Sequence, residues 1–167
     1  MSFVNDVRYQ QEQRMRPAVD EIYKSAFGDV LASIDREDGS VLDREHGIDV
    51  TLGFTNGMVL TGQEKTLSAD FAHHASLTVE YAQVHKVGEP GDWYSLAAQF
   101  YFVGYCKADG PGFSSWAIVN WPALVLETQR GNIRWRDNHN KDGRARASFR
   151  YVKLSHIPRS CIITGRL

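Results

Sequence analysis

The order of apolar and polar residues along the chain predicts one long helix followed by a series of strands. The segment from Asn5 to Phe27 carries apolar residues at helical spacing among many Gln, Arg and Glu residues, which is typical of an amphipathic helix. Pro17 marks either a break or a first turn within this helix. The helix ends at Gly28 or continues along the apolar residues that follow it.

Strand signals begin after a mostly charged segment, Asp35 to His46, which we interpret as a loop. Two apolar runs then flank Thr55-Asn56-Gly57, a combination typical of a β-hairpin. The predicted strands are Ile48 to Phe54, Met58 to Thr66, Leu77 to Tyr81, Gln99 to Tyr105 and Ser115 to Asn120, and Pro122 introduces a short helix over Ala123 to Gln129.

These elements predict an α/β (α+β) fold in which a mixed central β-sheet is flanked by helices, in a single domain over residues 1–167. The chain is long enough to bury one substantial core without disulfides. Hydrophobic residues make up 43% of the chain and charged residues 23%, a balance that excludes intrinsic disorder.

The sequence near the C-terminus predicts a basic β-hairpin, with one strand over Ile133 to Arg136 and the other over Ala145 to Leu154. Residues 130–159 include nine basic and two acidic residues, a net charge of +7 in a chain whose formal net charge is −1. Binding to a polyanion explains this excess, although arginines on an exposed strand also protect sheet edges. The candidate nucleic-acid-binding residues are Arg134, Arg136, Arg144, Arg146 and Arg150.

Candidate chemistry concentrates in the first hairpin. Asp49 opens its first strand, and Gln63 and Lys65 share one face of the second strand, because side chains alternate along a strand. By the same rule Glu64 points the opposite way. Mg²⁺ prefers hard oxygen ligands, so Asp49 and Gln63 are candidate metal ligands, and Lys65 is placed to stabilise phosphate charge.

The pattern Gly-Ile-Asp49, thirteen residues, then Gln63-Glu64-Lys65 resembles the core of the PD-(D/E)XK nuclease superfamily. The resemblance implies a restriction-endonuclease-like core and cleavage of phosphodiester bonds with Mg²⁺ or Mn²⁺. It departs from the family pattern at Ile48, where the proline is absent, and at Gln63, which replaces the usual acid. The family's helix glutamate corresponds to Glu21 or, less directly, to Asp20 or Glu12.

The leading functional interpretation is therefore a metal-dependent endonuclease acting on DNA, with a homodimer as the expectation that follows from the resemblance. The catalytic candidates are Asp49, Gln63, Lys65 and Glu21. The alternative is a non-catalytic nucleic-acid-binding module on a degenerate nuclease fold, in which Asp49 only accepts hydrogen bonds at the strand entry. Glu80 is interpreted as a surface residue, and the six histidines as solvated loop residues, because they show no HExxH or paired zinc spacing.

Two further features bear on the compartment. Cys106 and Cys161 are the only cysteines and are far apart in sequence, so we expect no disulfide framework and a reducing, cytoplasmic location. No apolar run approaches the roughly 20 residues that span a bilayer, so we expect no membrane segment.

Overall fold

A computed structural model describes residues 7–83, 91–138 and 147–167. The helices in these ranges are α1 (Val7–Phe27), α2 (Val41–His46), α3 (Asp92–Ser95) and α4 (Trp121–Gln129). The strands are β1 (Leu31–Arg36), β2 (Val50–Phe54), β3 (Val59–Leu67), β4 (Ser76–Gln83), β5 (Phe100–Cys106), β6 (Phe113–Asn120), β7 (Arg136–Asn138), β8 (Ala147–Lys153) and β9 (Ile162–Arg166). Short 3₁₀ turns cover Gly28–Val30, Ala69–His74, Leu154–His156 and Arg159–Cys161.

The strands form two sheets. The larger sheet has the order β1-β2-β3-β5-β6-β9, and the smaller sheet has the order β4-β8-β7. Strands β3 and β5 are parallel, whereas the other neighbouring pairs are antiparallel. The larger sheet is therefore mixed, and the predicted α/β class is confirmed at that level.

Helix α1 covers one face of the larger sheet. Met15, Val19 and Tyr23 are four residues apart, so they lie along one stripe of the helix, and all three are buried. They pack against Phe100 and Phe102 on β5, among other residues of the sheet. The helix agrees with its predicted range over the described residues and continues through Pro17, whereas the first two predicted residues, Asn5 and Asp6, lie outside the described ranges.

The opposite face of the larger sheet is covered mainly by the smaller sheet, with α4 beside it. Leu77 and Val152 from the smaller sheet join Tyr101 and Val103 from β5 and Leu124 from α4 in a second buried cluster. Side chains of β5 thus alternate between the two clusters, which explains why this strand is apolar on both faces. A helix flanks the sheet on the α1 face, as predicted, whereas on the other face the smaller sheet lies over it with α4 beside it.

Two strands and one helix were absent from the sequence-based prediction. Strands β1 and β9 form the edges of the larger sheet, and most of their residues are not fully buried, so they lack a clear alternating pattern. Helix α2 lies within the predicted loop. Ser40 caps its first turn by accepting a hydrogen bond from the Asp43 N–H, and Gly47 ends it with a left-handed φ of 60°.

The predicted C-terminal hairpin is partly described. Strands β7 and β8 pair antiparallel, with Arg136 opposite Tyr151. The first strand begins later than predicted, at Arg136, because Ile133 is buried in the second cluster and Trp135 packs against it. Arg144 and Arg146 lie outside the described residues.

Both cysteines are buried and free. None of the helices in the described ranges combines the length and apolar character that crossing a bilayer requires.

Candidate metal centre

Backbone hydrogen bonds connect Asp49 to a neighbouring segment on each side. Its N–H donates to the Gly62 carbonyl at 2.8 Å, and its carbonyl accepts from the Glu37 N–H at 2.9 Å. Gly47 makes this entry possible, because its left-handed φ turns the chain directly from α2 towards β2. Asp49 is therefore fixed between the end of β1 and the middle of β3.

The Asp49 carboxylate contacts β3 through one oxygen. Its Oδ2 accepts from the Gln63 Nε2 at 2.6 Å and from the Glu64 backbone N–H at 2.7 Å. The remaining amide atom, Gln63 Oε1, is buried without a hydrogen-bond partner. A Cβ at Gly47 would stand 2.9 Å from this oxygen, so the glycine leaves open the space beside it.

Burial raises the pKa of Asp49 to about 8, against the opposing effect of the Glu64 N–H and with smaller contributions from nearby carboxylates. At neutral pH this carboxyl group therefore holds a proton unless a cation takes the proton's place. Such a carboxyl group is characteristic of functional sites, although structural clusters also produce it.

Lys65 lies further along β3 on the same face as Gln63. Its Nζ is 5.2 Å from the centre of the Phe149 ring. Burial raises the pKa of Asp92, and the Lys65 ammonium acts in the opposite direction, which places these two groups near each other. Tyr101 is beside Gln63 in the parallel β3–β5 pairing. Burial raises the pKa of Tyr101, and the negative charges of Asp92 and Asp49 add to this effect.

Glu64 occupies the opposite face of β3, as strand periodicity predicts, and faces α1. Its Oε1 accepts a hydrogen bond from the Tyr23 hydroxyl at 2.8 Å and is 3.4 Å from the Arg36 Nη2. The same Arg36 nitrogen is 2.5 Å from Asp20 Oδ1. Burial raises the pKa of Glu64, while Arg36 opposes this effect. Glu64 thus belongs to a charged network that connects β3, β1 and α1.

A small cavity of about 110 Å³ opens between α1 and the start of β2. We refer to it as the acidic pocket, because its charged lining consists of Glu12, Arg16, Asp38, Asp43, Asp49 and Glu64. Thr66 also lines this cavity, and its Oγ1 is buried without a partner. Acidic groups therefore outnumber cations around a space that contains an unsatisfied oxygen.

The helix glutamate at this pocket is Glu12. Glu21, the sequence-based candidate, lies on the outer side of α1 with 73% of its side chain exposed and pairs with Lys24 at 2.8 Å. Glu21 therefore lies away from the acidic pocket, whereas Glu12, which the resemblance offered as a secondary possibility, lines it. The burial of α1 explains the difference, because the stripe through Met15 and Val19 turns Glu12 towards β2 and Glu21 away from it.

The residues at Asp49 fit a Mg²⁺ ion in donor type. Mg²⁺ commonly takes one or two protein carboxylates and keeps several waters, and the orphaned Gln63 Oε1 is a further hard oxygen. Among the described residues there is no group of three or more His, Cys, Asp or Glu side chains arranged to hold a metal ion. The Gln63 amide also presents its nitrogen to Asp49, so joint ligation by the two side chains requires the amide to turn over.

The predicted nucleic-acid-binding arginines have different environments. Arg134 and Arg136 line a cavity of about 290 Å³ on the smaller sheet. We refer to it as the basic pocket, because its charged and imidazole groups are Arg134, Arg136, Lys153, His73, His74 and His156. Arg150 is instead paired with Asp137 at 3.0 Å, and its guanidinium stacks 4.8 Å from the Trp93 ring. Arg150 therefore has structural partners of its own.

Sequence reasoning missed three parts of these sites. Asp92 was not among the candidate residues, although its pKa is influenced by the Lys65 ammonium. Glu64 was predicted to point away from Gln63, as it does, but its place in the lining of the acidic pocket was not foreseen. The histidines were interpreted as solvated loop residues, yet three of them meet at the basic pocket. No local motif connects His74 with His156, because β4 and β8 bring them together only through pairing of Ser76 with Lys153.

Comparison of the chain with protein-family models, with curated proteins and with solved structures found no match.

Proposed function

We propose that this protein is a Mg²⁺- or Mn²⁺-dependent endonuclease that hydrolyses phosphodiester bonds in DNA. The observation that carries the proposal is the carboxyl group of Asp49, whose pKa burial raises to about 8, hydrogen-bonded to Gln63, whose amide oxygen is buried without a partner. A restriction-endonuclease-like core is part of the proposal. Its support is a mixed sheet with a helix on one face, with Asp49 directly before β2 and with Gln63 and Lys65 on the neighbouring strand β3.

In this proposal Asp49 and Gln63 hold the metal, and Glu12 and Glu64 add negative charge on the α1 side. When bound, the metal would supply Lewis-acid stabilisation of a phosphoryl oxygen and lower the pKa of a bound water. Lys65 holds its ammonium on the same face as Gln63, where it would stabilise the charge that develops on the phosphate. Arg134 and Arg136 would contact the DNA backbone.

The direct test is incubation of the full chain with plasmid and short duplex DNA in Mg²⁺, in Mn²⁺ and in EDTA. We expect cleavage only with metal. Asp49→Asn and Lys65→Met should each lower the rate by roughly 10²–10³-fold, which is typical for removing one stabilising group from an active site.

Asp29→Asn is the matched control, because Asp29 is an exposed acid on the turn after α1. It should cut like the unmodified chain. Circular dichroism of each variant separates loss of activity from loss of fold. If both Asp49→Asn and Lys65→Met still cleave DNA in a metal-dependent way, the assignment of these residues to the active site is wrong.

A second candidate function is a non-catalytic nucleic-acid-binding module. It is favoured by the orientation of the Gln63 amide, which donates to Asp49 and so satisfies the carboxyl group without a metal. In this case DNA binding depends on salt and on Arg134 and Arg136, persists in EDTA, and is unchanged by Asp49→Asn. Calorimetric titration of Mg²⁺ into the metal-free protein distinguishes the two, because only the first predicts heat that Asp49→Asn removes.

A further inference from the structure

The basic pocket lies beside a buried, hydrogen-bonded residue of β4, Ser76. Ser76 is 3% exposed, and its N–H donates a hydrogen bond to the Tyr105 hydroxyl at 2.8 Å. The same hydroxyl donates to the Ser76 carbonyl at 2.6 Å. The Ser76 hydroxyl donates to the His74 carbonyl at 2.8 Å. The turn that carries the histidines is thus attached to the buried part of β4.

The cations around this pocket differ from the four arginines that form ion pairs within the described residues. Elsewhere Arg16, Arg36, Arg130 and Arg150 each pair with an acid. At the basic pocket, by contrast, none of the three cations makes an ion pair within the described residues, and the lining includes no carboxylate. These cations are Arg134, Arg136 and Lys153. Like charges that converge without an acid favour an anionic ligand.

The chemistry and size of the pocket point to a particular kind of anion. Arginine presents its donors in a planar fork that matches phosphate oxygens, and two arginines line this cavity. Its volume of about 290 Å³ is near the lower end of the range for small-molecule sites, roughly 300–1,000 Å³, and so exceeds what a bare ion needs.

Aromatic rings next to the basic pocket offer a flat surface on which a nucleobase can stack. Phe71 lies next to the cavity, not in its lining: it is 51% exposed, and its ring stacks on the ring of the lining residue His74 with centres 6.2 Å apart. The ring centres of His73 and His74 are 3.9 Å apart. Flat aromatic faces bind nucleobases by stacking with little sequence preference. A nucleotide contains both groups that these residues would bind: a phosphate for the arginines and a nucleobase for the neighbouring aromatic rings.

We propose that the basic pocket binds a phosphomonoester carried on a nucleoside, either a free nucleoside monophosphate or the 5′-phosphorylated end of a nucleic-acid strand. This site lies on the smaller sheet and does not depend on a metal at Asp49. It goes beyond the proposed nuclease function, which uses Arg134 and Arg136 only as contacts to the DNA backbone, because here the same two arginines bind the terminal phosphate of a nucleotide.

Calorimetry in EDTA tests the proposal on the full chain, with adenosine monophosphate, adenosine, inorganic phosphate and two short single strands that differ only in a 5′-phosphate. We expect adenosine monophosphate to bind at least tenfold more tightly than adenosine, and Arg134→Ala and Arg136→Ala each to weaken it at least tenfold. Arg166→Ala, which removes an exposed cation from β9, is the matched control and should leave binding unchanged.

The two strands distinguish the sources of the phosphate. Tighter binding of the 5′-phosphorylated strand supports recognition of a strand end, whereas tight binding of adenosine monophosphate alone supports a free nucleotide. Equal binding of both strands together with equal binding of adenosine and its monophosphate overturns the proposal, as does a failure of Arg134→Ala and Arg136→Ala to weaken binding. Since the assay contains no metal, a protein that cuts no DNA can still pass it, and an active nuclease can fail it.

Discussion

The acidic pocket and the basic pocket differ in what their charges do for the fold. At the acidic pocket Arg16 pairs with Asp38, which connects α1 to the loop after β1, and nearby Arg36 connects β1 to α1 and β3. At the basic pocket the cations have no acidic partner in the described ranges. Charges of the first kind stabilise the structure, so their removal should change stability. Charges of the second kind are available to a ligand, so their removal should change binding alone.

The largest expected effect is at Arg36. Its side chain is 14% exposed and lies between Asp20 and Glu64, so Arg36→Ala leaves a buried carboxyl group without its cation. Breaking a partly buried pair in this way typically costs about 3 kcal/mol. Urea unfolding should show this loss at pH 7 and a smaller loss at pH 5, where Glu64 is more easily protonated. A loss of under about 0.5 kcal/mol at pH 7 would contradict the structural role.

A somewhat smaller effect should appear at Asp49. Because its pKa is raised from 3.8 to about 8 in the folded chain, the folded state holds a proton that the unfolded state has lost between these values. Its contribution to stability is therefore fully present below about pH 4 and is lost as the pH rises towards 8.

Asp49→Asn removes this dependence, since the amide stays neutral and its oxygen can still accept the two hydrogen bonds. The free energy of unfolding of the variant relative to the unmodified chain should rise by about 2.5 kcal/mol from pH 5 to pH 7 in EDTA. A difference that stays constant with pH would show that Asp49 is ionised in the folded protein at neutral pH.

Gly47 should give an effect of about 1–2 kcal/mol. Gly47→Ala strains a left-handed position and brings a methyl group to within about 3 Å of Gln63 Oε1 and Leu96 Cδ1. Gly57→Ala is the matched control, because Gly57 also has a positive φ, of 81°, but nothing lies within 4 Å of its Cβ position. Thermal unfolding should rank Gly47→Ala as the more destabilising of the two. Equal effects would mean that only the backbone angle matters there.

The smallest effect on stability is expected at the basic pocket. Arg136→Ala should change the free energy of unfolding by less than about 0.5 kcal/mol, since Arg136 is exposed and makes no ion pair with described residues. If Arg136→Ala lowers the free energy of unfolding as much as Arg36→Ala does, the charges of the basic pocket stabilise the fold just as those of the acidic pocket do. The measurement is the same urea titration at pH 7.

The sequence predicted the elements that carry strong periodic patterns. Tyr23 and its neighbours on α1 repeat every four residues, and β5 is apolar throughout, so both were recognised. Strands β1 and β9 were missed because a half-exposed edge strand buries too few residues to show alternation. Asp49 and Gln63 were predicted together as candidate metal ligands, and the structure joins the two side chains by a hydrogen bond.

The parts that could not be predicted depend on contacts between distant segments. Whether Glu12 or Glu21 faces Asp49 depends on how α1 is rotated on the sheet, and only packing determines that rotation. Arg150 looked like a DNA-binding residue because it alternates with apolar residues. In the fold it meets Trp93, which is more than fifty residues away in sequence.

The packing of Trp93 also makes this protein easy to observe. Trp93 lies 5.7 Å from Trp121 and 5.0 Å from Trp135, measured between ring centres, in the layer between the two sheets. The remaining tryptophan, Trp116, packs in the cluster beneath α1. Three of the four indoles therefore report on docking of the smaller sheet, and the fourth reports on the other layer. Replacing Trp116 by Phe would leave an intrinsic emission signal that follows one layer of the protein by itself.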